Sequence, residues 1–236
     1  MSLQEIKILN LNIHNYHGFT KRKEKIISLI EKYDPDIVTL QEVRDNREKN
    51  KEGEDQAKQL NEKLNFKHYK FLVTDDVNRA KGLKDKPLCY EGLAVFSKFP
   101  FSSEEIKLKK EDNDKYYRKI LIANIKIEDQ TVPIWVVHFS NSDFFANLHA
   151  KETLAYAKSK NPIILGDFNI KYPKEIKRLA EINDYFSSSD FAYISYPKDN
   201  CSYDYIFIPK KFKFTKFKCL EEDVSDHKAL FAIIKL

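Results

Sequence analysis

The sequence predicts a layered α/β protein, and three observations support this prediction. Strands and amphipathic helices alternate in the first part of the chain, and strands with two or three interposed helices fill the rest. Such an order is typical of sheets and helices that pack in layers. The first strand is apolar on both faces, as expected of a strand that is covered on both sides. No linker rich in Pro, Gly or Ser divides the 236 residues, so we expect one domain spanning residues 1–236.

The first part of the chain alternates between strands and helices. Thr20 is the expected N-cap of a first helix, whose apolar stripe includes Ile26 and Ile30, and Asp34 followed by Pro35 ends that helix. A second helix is expected from about residue 54, after a charged run at 44–55 that we interpret as a solvated loop. Strands are predicted at 6–12, 36–40, 68–74, 91–98, 101–108, 117–127 and 131–139.

The second part of the chain is mostly β. A helix capped by Ser142 precedes an apolar strand that starts at Ile163, and a short helix begins near Pro173, which suits the first turn of a helix. Further strands are predicted at 191–195, 202–208, 212–219 and 229–234.

Composition narrows the protein class without fixing the substrate. With 41 basic and 36 acidic residues, the net charge of +5 permits an anionic substrate but does not demand one. No apolar run approaches the roughly 18 residues of a membrane span, and the N-terminus lacks the apolar region of a secretory leader. Three scattered cysteines argue against a disulfide framework and favour a cytoplasmic location. Nothing in the sequence predicts an obligate protein partner.

Polar residues fall where the apolar strands end. Individually, each has an ordinary structural explanation as a turn residue, a surface acid or a hydrogen-bonded side chain. Together, these carboxylates suit a hard divalent cation such as Mg²⁺ or Mn²⁺, and histidines beside it suit proton transfer or charge stabilisation. Those that follow an apolar strand are Asn12, Glu42, His138, Asp167 and Asn169; Asp204 lies inside an apolar strand, and Asp226 and His227 come just before the final strand.

The segment Gly166-Asp167-Phe168-Asn169 illustrates the two interpretations. Residues i and i+2 of an extended chain point the same way, so Asp167 and Asn169 are expected to project together from a strand end. A carboxylate beside a carboxamide can activate and orient a water molecule. The alternative is an ordinary polar turn after a core strand.

Seven segments together resemble the endonuclease/exonuclease/phosphatase superfamily, which includes deoxyribonuclease-I-like enzymes. They occur in the order of that family and span almost the whole chain. The segments are LNIH at 11–14, LQEV at 40–43, EGLAVFSKFP at 91–100, VH at 137–138, GDFN at 166–169, YDYIF at 203–207 and SDH at 225–227. The resemblance implies a four-layer α/β/β/α sandwich, in which two packed mixed β-sheets are flanked by helices. It also implies a divalent-metal-dependent hydrolase of phosphoester bonds.

The resemblance also implies a role for each residue at the metal. Glu42 corresponds to the main metal-ligating carboxylate, and Asp226 ligates the metal or lies near it. Asn12 lies close to the metal or to the scissile phosphate. The implied cofactor is Mg²⁺, with Mn²⁺ as an alternative.

The remaining residues are implied to act on the water and the phosphate. Asp167 acts as the general base and Asn169 orients the water. His227, supported by Asp204, contacts the phosphate. His138 is implied to lie near the phosphate and leaving group, with Glu91 as its acidic partner, and Arg118 resembles a phosphate-holding arginine. A strand-edge surface position explains Arg118 equally well. His14, Tyr16 and His17 are expected at the rim of the site.

The substrate stays open between a phosphorylated small molecule and a nucleic acid. The Trp-rich motif of repair nucleases and the Trp-Cys-Asp-Arg motif of inositol phosphatases are absent, and the single Trp135 is expected in the core. The basic loop at 75–90 either follows a nucleic-acid backbone or is simply solvated; its cations are Arg79, Lys81, Lys84 and Lys86. A catalytically silent binding module is the third hypothesis, disfavoured because every motif residue is present.

Overall fold

Two six-stranded β-sheets form the centre of the protein. The computed structural model describes residues 4–45, 55–76, 78, 82 and 89–236. The strands of these ranges are β1 (Glu5–Asn12), β2 (Ile37–Asp45), β3 (His68–Asp76), β4 (Tyr90–Ser97), β5 (Phe101–Lys107), β6 (Lys119–Ile127), β7 (Gln130–His138), β8 (Ile163–Asp167), β9 (Tyr185–Ser187), β10 (Asp204–Pro209), β11 (Lys213–Cys219) and β12 (Leu230–Lys235). The α-helices are α1 (Phe19–Tyr33), α2 (Gln56–Leu64), α3 (Asp143–Ala157) and α4 (Pro173–Glu181).

Both sheets are mixed. The first has the strand order β11-β12-β1-β2-β4-β3, and the second has the order β5-β6-β7-β8-β10-β9. The pairs β1–β2 and β7–β8 are parallel, whereas β1–β12 and β8–β10 are antiparallel. Each parallel pair directs two strand ends to the same edge of its sheet, which is where side chains from different strands can meet.

Three apolar clusters define four layers. Alternate residues of facing strands, such as Ile8 and Leu165, pack between the sheets. The opposite face of the first sheet, with Leu9 and Leu11, packs on α1 and α2. The outer face of the second sheet, with Trp135, packs on α3 and α4. The predicted α/β/β/α sandwich is therefore confirmed, and Trp135 lies in the core as expected.

The predicted strand at 191–195 is wrong. Phe191 and Ile194 of this segment are exposed, and the segment pairs with no strand in the described part of the chain. The edge position beside β10 is filled instead by β9, whose Tyr185 is buried and paired with Pro209. Apolar alternation alone did not distinguish these two aromatic segments, because one packs as a strand and the other as irregular chain.

The predicted cap of the first helix is also wrong. The helix begins at Phe19, one residue before Thr20, and its N-cap is Gly18 in the left-handed conformation with φ of 60°. The ring of Phe19 is fully buried, so packing determines where the helix starts. The second helix begins at Gln56, close to the expected start, and α4 has Pro173 in its first turn as predicted.

The second strand is longer than predicted and carries a bulge at the residue of greatest interest. The pairing of β2 with β4 shifts register between Leu40 and Val43, and Glu42 has a positive φ of 55°. Beyond this bulge the strand continues to Asp45, so Arg44 is a buried strand residue and was wrongly assigned to a solvated loop. Ion pairing with Glu91 on β4 allows the guanidinium to be buried.

Candidate active site

A polar cleft lies where the ends of strands from both sheets meet. Its volume is about 360 Å³. The lining residues are Asn15, Glu42, Arg44, Glu91, Tyr116, Arg118, His138, Asn141, Asp167, Asn169, Tyr196, Asp199, Tyr203, Asp226 and His227. Most of the predicted site residues are in this set. Asn12 and Asp204 are fully buried and hydrogen-bond to lining residues.

Strand pairing brings three of these residues side by side. In the parallel pair β7–β8, His138 is the partner of Asp167, and in the antiparallel pair β8–β10, Asp204 is the partner of the same aspartate. Gly166 permits this close approach, because a Cβ on it would lie 1.9 Å from the carbonyl oxygen of Val137, and its φ is 147°. The sequence pattern of polar strand ends thus becomes a single cluster.

The carboxylate of Asp167 is the centre of this cluster. Its Oδ2 accepts a hydrogen bond from Asn12 Nδ2 at 3.0 Å, across the two sheets. Nε2 of His138 lies 3.7 Å from the same oxygen, and Nε2 of His227 lies 3.8 Å from it. Burial raises the pKa of Asp167 to about 7. A carboxylate with this pKa can exchange a proton near neutral pH.

Asn169 lies beside Asp167, but the two residues are not in the extended conformation that their i, i+2 spacing predicts. The strand ends at Asp167, and Asn169 adopts a left-handed conformation with φ of 52°. Its backbone N–H donates to Asp167 Oδ1 at 2.9 Å, and its side chain donates to the carbonyl of Phe139 at 3.1 Å. The tight turn, rather than an extended chain, therefore brings both side chains to the cleft.

His227 and Asp204 form a buried pair. Nδ1 of His227 lies 2.8 Å from Oδ2 of Asp204. Burial lowers the pKa of His227, but the negative charge of Asp204 and this hydrogen bond outweigh it, so the pKa rises to about 10. The imidazole is therefore protonated at neutral pH, and its Nε2–H faces Asp167. The ring of Tyr196 packs on the imidazole with the ring centroids 4.7 Å apart.

His138 contacts an arginine. Arg118 Nη1 lies 3.4 Å from Nδ1 of His138, and both residues are buried. Glu91, the acid expected to partner this histidine, forms an ion pair with Arg44 at 2.7 Å and lies 3.8 Å from Arg118. Burial and the positive charge of Arg118 hold the pKa of His138 well below its ordinary value. Arg118 is therefore a buried cleft residue and not a surface arginine.

Glu42 and Asp226 offer oxygen ligands on the opposite side of the cleft. Glu42 accepts hydrogen bonds from Asn12 Nδ2 at 3.1 Å and from Asn15 Nδ2 at 2.9 Å. Asp226 accepts one from the Ser225 hydroxyl at 3.2 Å. Both carboxylates remain partly accessible from the cleft. Carboxylate oxygens of this kind fit a hard divalent cation such as Mg²⁺ or Mn²⁺.

A second group could also supply ligand atoms. Asp167, Asp204 and His227 have one potential ligand atom each, all within 4.8 Å of one another, and all three are buried. Within this group, however, Nδ1 of His227 is already hydrogen-bonded to Asp204. The accessible pair of Glu42 and Asp226 therefore fits a cation better.

The predicted rim residues His14, Tyr16 and His17 lie next to the cleft but do not line it. Their neighbour Asn15 does line it. Nδ1 of His14 lies 3.5 Å from Oδ1 of Asp226. The ring of His17 packs on both His14 and Tyr16, at centroid distances of 4.9 and 4.8 Å. The basic loop residues Arg79, Lys81, Lys84 and Lys86 lie outside the described residues.

Several lining residues were not predicted from the sequence. Tyr196, Asp199 and Tyr203 come from the segment between β9 and β10, and Tyr116 and Asn141 come from other connections. Tyr116, Asn141, Tyr196 and Asp199 belong to no motif and reach the cleft through tertiary structure. Tyr203 opens the YDYIF segment, but that segment predicts a role only for Asp204. Arg44 could have been found from its spacing, because it lies two residues after the predicted ligand Glu42 and on the same strand.

The fold is a four-layer sandwich with acids and histidines gathered at the strand ends. Comparison with known protein families identifies the class to which it belongs. The family model described as the endonuclease/exonuclease/phosphatase family matches residues 9–227. The chain therefore belongs to this family, whose fold is a phosphoesterase fold. No curated protein matches the sequence significantly.

Solved structures show the same fold at low sequence identity. An endonuclease/exonuclease/phosphatase family protein from Bacteroides thetaiotaomicron has a TM-score of 0.76 at 15% identity, covering 98% of this chain and 97% of that one. A mannosyl-6-phosphatase from the same organism has a TM-score of 0.75 at 15% identity, covering 98% and 100%. D. rerio TDP2, in complex with a single-strand DNA product, has a TM-score of 0.70 at 16% identity, covering 99% and 100%.

Within the described ranges, no helix is both long enough and apolar enough to cross a membrane.

Proposed function

We propose that this protein is a divalent-metal-dependent hydrolase of phosphoester bonds. One observation carries the proposal: Asn12, His138 and His227, from three different parts of the chain, converge on Oδ2 of the buried Asp167. A hydrogen-bonded carboxylate between two imidazoles is suited to activate a nucleophile next to groups that stabilise a developing negative charge.

In the proposed reaction, Asp167 accepts a proton from the attacking water. Asn169, held by its own turn, and Asn12 keep the carboxylate and the water in position. The protonated His227 donates from Nε2 to an oxygen of the phosphate, and Asp204 keeps that imidazole charged and oriented. His138 supplies a second contact to the phosphate or leaving group. The water oxygen forms a new P–O bond as the bond from phosphorus to the leaving oxygen breaks. The leaving oxygen then takes up the proton that Asp167 received, and the alcohol is released.

Glu42 and Asp226 are the proposed ligands of Mg²⁺ or Mn²⁺, with Asn12 fixing Glu42 through its amide. When bound, such a cation supplies positive charge that offsets the repulsion between the phosphate and the incoming nucleophile. The oxygen-only character of these donors supports a hard cation over zinc or copper.

Two substrate classes remain, and a structural neighbour supports each. One neighbour is a mannosyl-6-phosphatase, which favours a phosphorylated small molecule, and TDP2 was solved with single-strand DNA, which favours a nucleic acid. The cleft of about 360 Å³ accommodates a phosphate and its nearest substituents, which both classes contain. We prefer the small-molecule class because the sequence lacks the Trp-rich motif of repair nucleases.

A substrate screen tests the proposal. Protein loaded with Mg²⁺ or Mn²⁺ is incubated with plasmid DNA, RNA, bis-p-nitrophenyl phosphate, p-nitrophenyl phosphate and sugar phosphates. We expect turnover of a small phosphoester that is lost with EDTA and reduced on the order of 10²–10⁴-fold in His227→Ala.

The controls separate the alternatives. Nicking of plasmid DNA that both EDTA and His227→Ala abolish would replace the small-molecule reading by a nuclease. If no phosphoester is turned over although metal occupancy is verified, both hydrolase hypotheses are excluded and the catalytically silent binding module is the hypothesis that remains. Lys177→Ala on α4 is a suitable control, because this lysine is exposed and its ion pairs, with Asp190 and Glu181, lie outside the cleft.

A further inference from the structure

We propose that Arg118 fixes His138 in the neutral tautomer that carries its proton on Nε2, so that His138 presents an N–H to the cleft. Arg118 would then be a positioning residue, acting on the substrate through His138. The proposed tautomer follows from contacts within the chain, and only its kinetic consequence rests on the proposed hydrolase function.

The tautomer follows from the chemistry of the contact. Nη1 of Arg118 lies 3.4 Å from Nδ1 of His138. A guanidinium has five N–H donors and no acceptor, and it stays protonated in proteins. The imidazole nitrogen that faces it must therefore be the acceptor. A neutral imidazole with an acceptor at Nδ1 carries its single proton on Nε2.

The position of Arg118 is fixed on more than one side. Its guanidinium lies over the ring of Tyr116, with 5.0 Å between the guanidinium carbon and the ring centroid. Its Nη1 lies 3.8 Å from Oε1 of Glu91. Glu91 is in turn held by Arg44 at 2.7 Å. Arg44, Glu91 and Arg118 all line the cleft, but each is more than nine-tenths buried. A buried guanidinium with these partners has little freedom to leave His138.

The other side of the ring is consistent with the same tautomer. Nε2 of His138 lies 3.7 Å from Oδ2 of Asp167, an acceptor. The charged groups around His138 are the guanidiniums of Arg118 and Arg44, the imidazolium of His227 and the carboxyl of Asp167. Two guanidiniums and an imidazolium nearby oppose a further positive charge on His138.

The two histidines that flank Asp167 therefore differ in state. His227 has an acid at Nδ1 and is cationic, whereas His138 has an arginine at Nδ1 and is neutral. An acidic partner at Nδ1 of His138 would have produced two cations around one phosphate. With Arg118 there instead, His138 contributes a directed hydrogen bond and His227 contributes the charge.

NMR of ¹⁵N-histidine-labelled protein tests the tautomer directly. Long-range ¹H–¹⁵N correlations distinguish protonated from unprotonated ring nitrogens, and the spectrum of His138→Gln assigns the signal. We expect a protonated Nε2 and an unprotonated Nδ1 for His138 at pH 7. A proton on Nδ1, or protons on both nitrogens, would overturn the proposal without any bearing on catalysis.

Substitution of the arginine tests its role. In Arg118→Met we expect the His138 signal to become a mixture of tautomers, and in Arg118→Lys, which retains a donor, we expect partial recovery. An unchanged signal in Arg118→Met, with the fold intact by circular dichroism, would show that Arg118 does not set the tautomer. Arg178→Met, on the exposed surface of α4, is the matched control.

The kinetic consequence is measured on the substrate that the screen identifies. We expect Arg118→Met to lower kcat by about 10- to 100-fold with a smaller change in KM, because His138 keeps its place but loses a defined donor. A change confined to KM would contradict positioning and indicate direct substrate binding by Arg118. Failure of the hydrolase proposal would remove this experiment and leave the NMR result standing.

Discussion

Asp167 and His227 illustrate how two side chains 3.8 Å apart can have opposite roles, because one accepts a proton at a pH at which the other still carries one. Burial makes the carboxyl of Asp167 a weaker acid, with a pKa of about 7. The buried Asp204 makes the imidazole of His227 a weaker acid as well, with a pKa of about 10. Between these values the carboxylate is free to accept a proton while the imidazole still carries one. The site is therefore suited to neutral and mildly alkaline pH.

The first prediction is a bell-shaped dependence of kcat/KM on pH. The rate should rise as Asp167 loses its proton near pH 7 and fall as His227 loses its proton near pH 10. Initial rates between pH 5 and 11 at saturating metal measure both limbs, which belong to the coupled pair rather than to either residue alone. A rate that falls from pH 6 to pH 8 would contradict these assignments.

The second prediction concerns Asp204. Replacement by the isosteric Asn removes the charge that raises the pKa of His227, so the alkaline limb should move to lower pH in Asp204→Asn. The acid limb should move less. The same pH series on the variant measures the shift, and an alkaline limb that stays in place would show that His227 is not the group that titrates there.

Many of the cleft residues could be predicted, because each lies just after or just before an apolar strand and belongs to a short motif. Asp167, Asn169, His138 and His227 were found in this way, and each lines the cleft. The contact between Arg118 and His138 could not be predicted, because it depends on the register of β6 on β7, in which Leu121 is the partner of Val136. Sequence patterns identify residues at strand ends, but not which of them touch.

At the scale of elements, the pair β7–β8 places the reactive groups. Register alone puts His138 beside Asp167, and the glycine before the aspartate lets the strands approach. The bulge in β2 positions Glu42. The strand has one extra residue there, and the positive φ of Glu42 turns its side chain out of the regular alternation. Both devices are local irregularities in otherwise regular strands.

The third prediction is that Gly166→Ala destabilises the fold and the site together. The added Cβ would lie 1.9 Å from the carbonyl oxygen of Val137, and relieving that clash requires the two strands to separate. We expect a loss of more than about 3 kcal/mol in the free energy of unfolding, measured by urea denaturation.

Gly18→Ala is the matched control for this substitution. Gly18 also has a positive φ, of 60°, but no atom lies within 4 Å of its added Cβ. Only the conformational cost of about 1–2 kcal/mol should remain. Equal losses for the two variants would show that the approach of β7 to β8 is not what Gly166 provides.

The bulge and the edge strand mark the limit of sequence reasoning at this scale. A break in alternation at Glu42 was invisible, because Gln41-Glu42 reads as the polar end of a strand, and Arg44 then reads as the start of a loop. The segment at 191–195 has the alternation of a strand, but it pairs with no strand in the described residues, and its Phe191 and Ile194 are exposed. Both errors concern hydrogen-bond partners that lie far away in the sequence.

Considered as a whole, the molecule places its site where two sheets meet. Asn12 of the first sheet hydrogen-bonds to Asp167 of the second, 155 positions later in the chain. The layered architecture could be predicted, because strands with two apolar faces require cover on both sides. The seven ordered motifs supplied the particular arrangement, since many layered folds share the same alternation of strands and helices.

The fourth prediction concerns metal binding across the two sheets. Mg²⁺ or Mn²⁺ should raise the thermal midpoint of unfolding, because a cation that binds only the folded state stabilises it by about 2.7 kcal/mol at one hundred times its Kd. Glu42→Gln should lose most of this effect, and Glu104→Gln, an exposed acid on β5, should retain it. An equal metal-dependent shift in Glu42→Gln would exclude Glu42 as a ligand.

The central claim is that Asp167 activates water for phosphoester hydrolysis. The most direct test is the initial rate on the phosphoester panel for wild-type protein and Asp167→Asn, both with verified Mn²⁺ occupancy and a native circular dichroism spectrum. We predict turnover of at least one phosphoester by the wild type and a rate on the order of 10²–10⁴-fold lower in the variant. Equal rates for the two proteins would contradict the claim.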